Sequence, residues 1–130
     1  MAFRYFLPAL AWMLVVFIAI SMPPGNLPKS GIFSMPHFDK LVHFFLFSIF
    51  GLLFSFGFYK QGSQKLMHRY FVLFTLLAGF IYGSLTEILQ HFYFSGRNGN
   101  ITDVAFNLFG TVFGITLFSN ILKICPGLIK

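Results

Sequence analysis

The sequence predicts an all-α integral membrane protein, a single bundle of four transmembrane helices, and three observations carry that prediction. The first is composition: 57% of the 130 residues are hydrophobic, against nine basic and three acidic side chains. A soluble domain carries roughly 25% charged residues, so this chain could not cover a water-facing surface. The second is that the apolar residues fall into four runs, each close to the roughly 20 residues a helix needs to cross hydrocarbon. The third is that proline, glycine or basic residues separate the runs, as turn chemistry requires. An aromatic content of 21% excludes disorder, and a lone cysteine excludes an intramolecular disulfide and a multi-cysteine zinc site.

The first span is expected over residues 5–22 and is followed by a breaker-rich loop carrying Pro23, Pro24, Gly25, Pro28, Gly31 and Pro36. Arg4 ahead of it, with Ala19 and Ser21 near its end, also has the outline of a cleavable signal. Retention is the expectation, because the apolar run is long for a signal core and Pro23-Pro24 follow at once. The second span, residues 41–59, carries a stripe of small residues, Ser48, Gly51 and Ser55. A short basic loop, residues 60–69, leads to the third span, residues 70–92. There Gly79, Gly83, Glu87 and Gln90 recur at spacings of four, four and three, which places them on one helix face. A polar turn at residues 95–100 precedes the fourth span, residues 104–124, where Asp103, Asn107, Gly110 and Gly114 repeat the pattern. Small residues let transmembrane backbones approach closely. The three stripes therefore predict helices packed tightly at one end, with polar side chains gathered at the other. Residues 1–130 form one domain, without repeat or linker.

Charge sets the expected orientation. Four spans put Arg4, Lys60, Lys65, Arg69, Lys123 and Lys130 on one side, and Lys29, Lys40 and Arg97 on the other. Cytoplasmic loops carry the Lys/Arg excess, so both termini are expected in the cytoplasm of a bacterial cell, with the chain in its cytoplasmic membrane. The basic balance, net +6, is then an orientation signal, and no nucleic-acid partner is expected. All three acids, Asp39, Glu87 and Asp103, fall towards the outer side, as do His43, Gln90, His91, Arg97 and Asn107.

Glu87 is the sharpest single feature, since a carboxylate within a span demands a partner or a proton. Its expected partners are His43, Gln90, Arg97 and Lys40. Asp39 and Asp103 stand where acids also serve helix N-termini, Asn107 and Gln90 suit interhelical hydrogen bonds, and Arg97 suits a headgroup anchor. His37, His68 and Cys125 are assigned no role. The phenylalanines of 44–45 and 54–58 read as lipid-facing bulk, and Tyr59, Tyr70 and Tyr93 as interfacial anchors.

Taken in order, Asp39-Lys40-x-x-His43-Phe44, Glu87-x-x-Gln90, Arg97, Asp103, Asn107, Gly110 and Gly114 resemble the VanZ-like family. The resemblance covers the chain from about Asp39 to Gly114, and the first span with its proline-rich exit is similar too. It implies a four-span membrane protein of a family named for low-level resistance to teicoplanin, a glycopeptide with an acyl tail that acts at the outer membrane surface on cell-wall precursors. It supplies no biochemical mechanism.

Three functions compete. In the first, Asp39, Lys40, His43, Glu87, Gln90, Arg97, Asp103 and Asn107 hold a membrane lipid, a lipid-linked cell-wall precursor or the glycopeptide itself. In the second, the chain is an intramembrane enzyme on such a substrate, with Glu87 and His43 as the acid–base pair. The third, a transporter, ranks last, because the span interiors lack paired charges. No resident cofactor or metal is expected. Asp39, His43, Glu87 and His91 form only a weakly diagnostic ligand set, without HExxH or multi-histidine spacing.

Overall fold

The computed structural model describes residues 3–23, 31, 37–61, 65–94, 99–125 and 127. A 3-10 turn, Phe3–Phe6, runs into α1 (Leu7–Ser21), and then come α2 (Phe38–Tyr59), a short α3 (Lys65–Arg69), α4 (Phe71–Phe92) and α5 (Ile101–Ile124). Among the described residues there is no strand. Four segments are long and apolar enough to cross a membrane: Phe3–Ser21, which joins the 3-10 turn to α1, and the helices α2, α4 and α5. At 1.5 Å per residue, the 22 residues of α2 span about 33 Å, enough for the roughly 30 Å hydrocarbon core.

The helix boundaries differ from the hydropathy reading at the ends that matter most. α2 begins at Phe38 and α5 at Ile101, so Asp39 and Asp103 lie in first turns. His37 precedes α2 in the left-handed conformation, with φ of 65°. Asn100 caps α5, its side chain accepting from the Thr102 N–H at 3.0 Å. Part of the basic loop coils into α3, where His68 Nδ1 lies 2.6 Å from the Tyr59 carbonyl oxygen.

α2 lies at the centre of the bundle and packs against α1, α4 and, most extensively, α5. In lipid, apolar burial does not drive helices together; close packing and hydrogen bonds do. The interior accordingly holds small and polar side chains, among them Ser48, Ser55, Thr75, Thr86, Thr111 and Asn107, while large apolar ones such as Leu14, Phe45, Ile81 and Phe109 stand exposed. Ser48 and Thr111 settle their hydroxyls on Phe44 and Asn107 carbonyls of their own helices, at 2.7 and 2.8 Å. All three small-residue stripes face inward. A Cβ on Gly51 would meet the Thr111 carbonyl oxygen, and one on Gly114 the Ser48 carbonyl oxygen.

The phenylalanines divide. Phe45 is lipid-facing as expected, but Phe54 is buried and joins Phe47 and Phe50 in the core. Phe50 stacks on Phe54 with centroids 4.2 Å apart, and on Tyr82 at 5.5 Å with ring planes 8° from parallel. The cause is position: Phe47, Phe50 and Phe54 share the α2 face turned to α1 and α4, and the Phe47 ring lies against Gly83.

α1 docks on this core through specific bonds. Trp12 Nε1 donates to the Leu46 carbonyl at 2.9 Å, and the Tyr82 hydroxyl donates to the Met13 carbonyl at 2.7 Å. Ala9, Val16 and Ile20 are buried beneath it. α1 thus packs against both α2 and α4.

Candidate functional site

The antiparallel course of the helices brings the start of α2, the end of α4 and the start of α5 to one end of the bundle. Lys40, in the first turn of α2, reaches across to α5. Its Nζ donates to Thr102 Oγ1 at 2.6 Å and to Asp103 Oδ1 at 2.8 Å. Asp103 is buried and Lys40 only partly exposed, so the pair sits behind the surface. Asn100 supplies the side-chain cap of α5, which leaves the Asp103 carboxylate for this ion pair.

One turn deeper, His43 is 1% exposed. Its Nδ1 lies 2.9 Å from Asn107 Oδ1 on α5 and 3.4 Å from Glu87 Oε1 on α4. Its Nε2 points the other way, 3.9 Å from Asp39 Oδ2. Asn107 also donates through Nδ2 to the Gly83 carbonyl at 3.4 Å. One histidine thereby joins three helices. Glu87 is buried between them, its Oε2 accepting from the Asn100 backbone N–H at 3.2 Å. That bond depends on Gly99, where a Cβ would meet the Glu87 carbonyl oxygen.

Glu87 has a second face. It forms part of the wall of a groove of about 380 Å³ between α4 and α5, lined by Phe80, Ser84, Ile88, His91, Phe92, Gly99, Asn100, Ile101 and Val104 as well. Phe80, Ile88, Phe92 and Ile101 are exposed, so the groove opens on the lipid-facing flank. Its volume lies in the range of small-molecule sites, roughly 300–1,000 Å³. The walls are apolar, and Glu87 connects them to the polar cluster.

Of the eight residues the sequence singled out, six come together here: Asp39, Lys40, His43, Glu87, Asp103 and Asn107. Gln90 is buried but turned towards α1, its Nε2 donating to the Ile20 carbonyl at 3.4 Å, an interhelical tie. Arg97 lies outside the described residues. His91 lines the groove. Lys40 serves Asp103, where sequence reasoning had offered it to Glu87. The Asn100 N–H, Thr102 and the Gly83 carbonyl were missed. Backbone groups leave no mark in a sequence, and Thr102 reads as a loop residue until the early start of α5 is known.

Two chemistries are available to this arrangement. The Glu87 carboxylate stands 3.4 Å from His43 Nδ1 with no hydrogen bond between them, so acid–base work by the pair needs a closer approach. Asp39, His43 and Asp103 each present one potential metal-ligand atom, all within 4.8 Å of one another.

Comparison with known proteins gives one match at the level of families. The family model described as VanZ/LLP1 covers residues 5–123, from the first span to the end of the fourth. No curated protein and no solved structure matches the chain.

Proposed function

The chain belongs to the VanZ/LLP1 family, and on that premise we propose that it is a multi-pass membrane protein that binds an envelope amphiphile, with the polar cluster on the outer side and both termini in the cytoplasm. The cluster takes the headgroup and the flanking groove takes an acyl chain. The amphiphile is a membrane lipid, a lipid-linked cell-wall precursor or an acylated glycopeptide, and protection against teicoplanin is the phenotype that follows. One observation carries the reading: Glu87 belongs at once to a buried polar network and to the wall of an apolar, laterally open groove. A ligand that satisfies both compartments has a polar head and an alkyl tail. Lys40 supplies a positive group beside the acids, suited to phosphate or carboxylate.

Native mass spectrometry of protein extracted from bacterial membranes tests this. The wild type should retain a bound amphiphile, and Ile88→Trp, which fills the groove from a lipid-exposed position, should not. Equal retention by both would rule the groove out.

The 3.4 Å approach of His43 to Glu87 favours a second reading, an intramembrane enzyme acting on the same class of ligand. Its signature is turnover of a labelled envelope lipid by wild type and none by Glu87→Ala. Binding without turnover returns the case to the first reading.

A further inference from the structure

The end of the bundle away from the polar cluster gathers charge of one sign. Arg4 stands in the opening 3-10 turn, and Lys60 directly follows α2. The Phe6 ring packs edge-on against Phe58 with centroids 5.0 Å apart, which lays the opening turn along the end of α2. Both cations then meet Tyr5. The Arg4 guanidinium carbon lies 4.9 Å from the Tyr5 ring centroid and Lys60 Nζ lies 5.6 Å from it. Arg4 Nη2 also donates to the Tyr5 hydroxyl at 3.0 Å.

The ring attracts each cation through its quadrupole, but it carries no charge of its own, so two positive charges share one aromatic side chain. No acidic side chain reaches them. The chain has three acids, and Asp39, Glu87 and Asp103 all gather around Lys40 and His43 at the far end. Asp39 opens α2 and Lys60 follows its end, about 30 Å apart along the axis. Charges in salt are screened beyond about 8 Å, so side-chain neutralisation of the pair has to come from outside the chain.

Depth and surroundings say what kind of anion fits. Phe3–Ser21 and Phe38–Tyr59 are two of the spans, so Arg4 and Lys60 stand at span ends, where headgroups lie and where basic side chains attract anionic lipid. Phe3 and Leu7, on either side of Arg4, are 61% and 54% exposed. They give acyl chains an apolar surface beside the charges, which a phosphate free in solution would not use. The Tyr5 hydroxyl accepts from Arg4 and keeps its own hydrogen to give to a phosphate oxygen.

We propose that Arg4, Tyr5 and Lys60 bind the phosphate of an anionic phospholipid from the leaflet at this end of the bundle. Arg4 forks onto phosphate oxygens, the Tyr5 hydroxyl donates to one of them, and Lys60 adds the second charge. A zwitterionic headgroup brings its own ammonium group to the two cations and is disfavoured. The site lies at the opposite end from the amphiphile site, goes beyond that reading and does not depend on it.

The test titrates delipidated full-length protein in a nonionic detergent with phosphatidylglycerol or phosphatidylcholine and follows uptake by native mass spectrometry. The wild type should take up phosphatidylglycerol more tightly than phosphatidylcholine. Arg4→Gln and Lys60→Gln should each weaken phosphatidylglycerol uptake about tenfold, the loss of one charge-assisted contact, and Tyr5→Phe, which keeps the ring, should weaken it less. Arg69→Gln and Lys123→Gln each remove one positive charge from the same end and should keep the wild-type preference. Arg4, Arg69 and Lys123 are exposed, so these variants keep the fold. Excess inorganic phosphate should leave lipid uptake unchanged. Equal losses in all four charge variants would reduce the effect to the net charge of this face and overturn the proposal, as would a wild type without lipid preference. Displacement by inorganic phosphate would make the ligand a free anion and overturn the lipid assignment. These variants lie far from Glu87 and its groove, so their difference from wild type reads this site alone, and its failure leaves the amphiphile reading standing.

Discussion

Replacing Gly114 by alanine should separate the two helices that hold the site. A Cβ at that position would meet the Ser48 carbonyl oxygen and lie 2.7 Å from the Leu52 amide nitrogen. Both atoms are backbone of α2 and cannot turn aside, so α5 must retreat or tilt. Overpacking a fitted interface costs about 1–3 kcal/mol, and a clash with backbone belongs at the upper end. Alanine recovers about 1 kcal/mol of helix propensity over glycine, which leaves a net loss of about 2 kcal/mol. Two controls frame the result. In Gly57→Ala the obstacle is the Phe6 ring, which can rotate, so the loss should be smaller. In Gly127→Ala no atom lies within 4 Å, and the effect should be close to zero. The assay is reversible unfolding of purified protein in mixed micelles with increasing dodecyl sulfate, read by circular dichroism. If Gly114→Ala unfolds with Gly127→Ala, the close approach of α2 and α5 is not what stabilises the bundle.

Other substitutions probe the site and the docking of α1. Glu87→Gln should assemble in normal amounts yet lose retained amphiphile, measured by native mass spectrometry against wild type. Asn107→Leu removes the acceptor of His43 Nδ1 and the donor to the Gly83 carbonyl. Each buried group left unpaired costs about 1–3 kcal/mol, and the dodecyl sulfate midpoint should fall accordingly. Tyr82→Phe deletes the hydroxyl bond to Met13. A loss of about 1 kcal/mol should come with faster proteolysis near α1, and unchanged proteolysis would show that this bond does not hold the helix.

The spans were legible because length and hydropathy suffice to name a membrane helix, and the buried faces were legible because glycine, serine and asparagine recur at helical spacing. Gly79, Gly83, Gly110 and Gly114 announced close contacts that the structure realises with backbone atoms or short side chains opposite. Phe54 was not legible: where every face is apolar, periodicity no longer separates core from lipid, and the stack with Phe50 and Tyr82 depends on how α4 lies against α2. The apolar spans begin a few residues after α2 and α5 do, although Asp39 and Asp103 were read as opening those helices. His37 and Asn100 set those starts through backbone conformation and a cap, neither of which changes hydropathy. Once Asp103 stands in a first turn, its meeting with Lys40 follows from helix geometry, but the sequence alone left Lys40 free to be given to Glu87.

The most direct test is the teicoplanin sensitivity of a susceptible Gram-positive host expressing wild type, Glu87→Gln or Ile88→Trp at matched membrane levels. If a head-and-tail site on this bundle does the work, wild type should raise the tolerated concentration and neither variant should. Protection by all three would contradict the site, and protection by none would contradict the proposed phenotype.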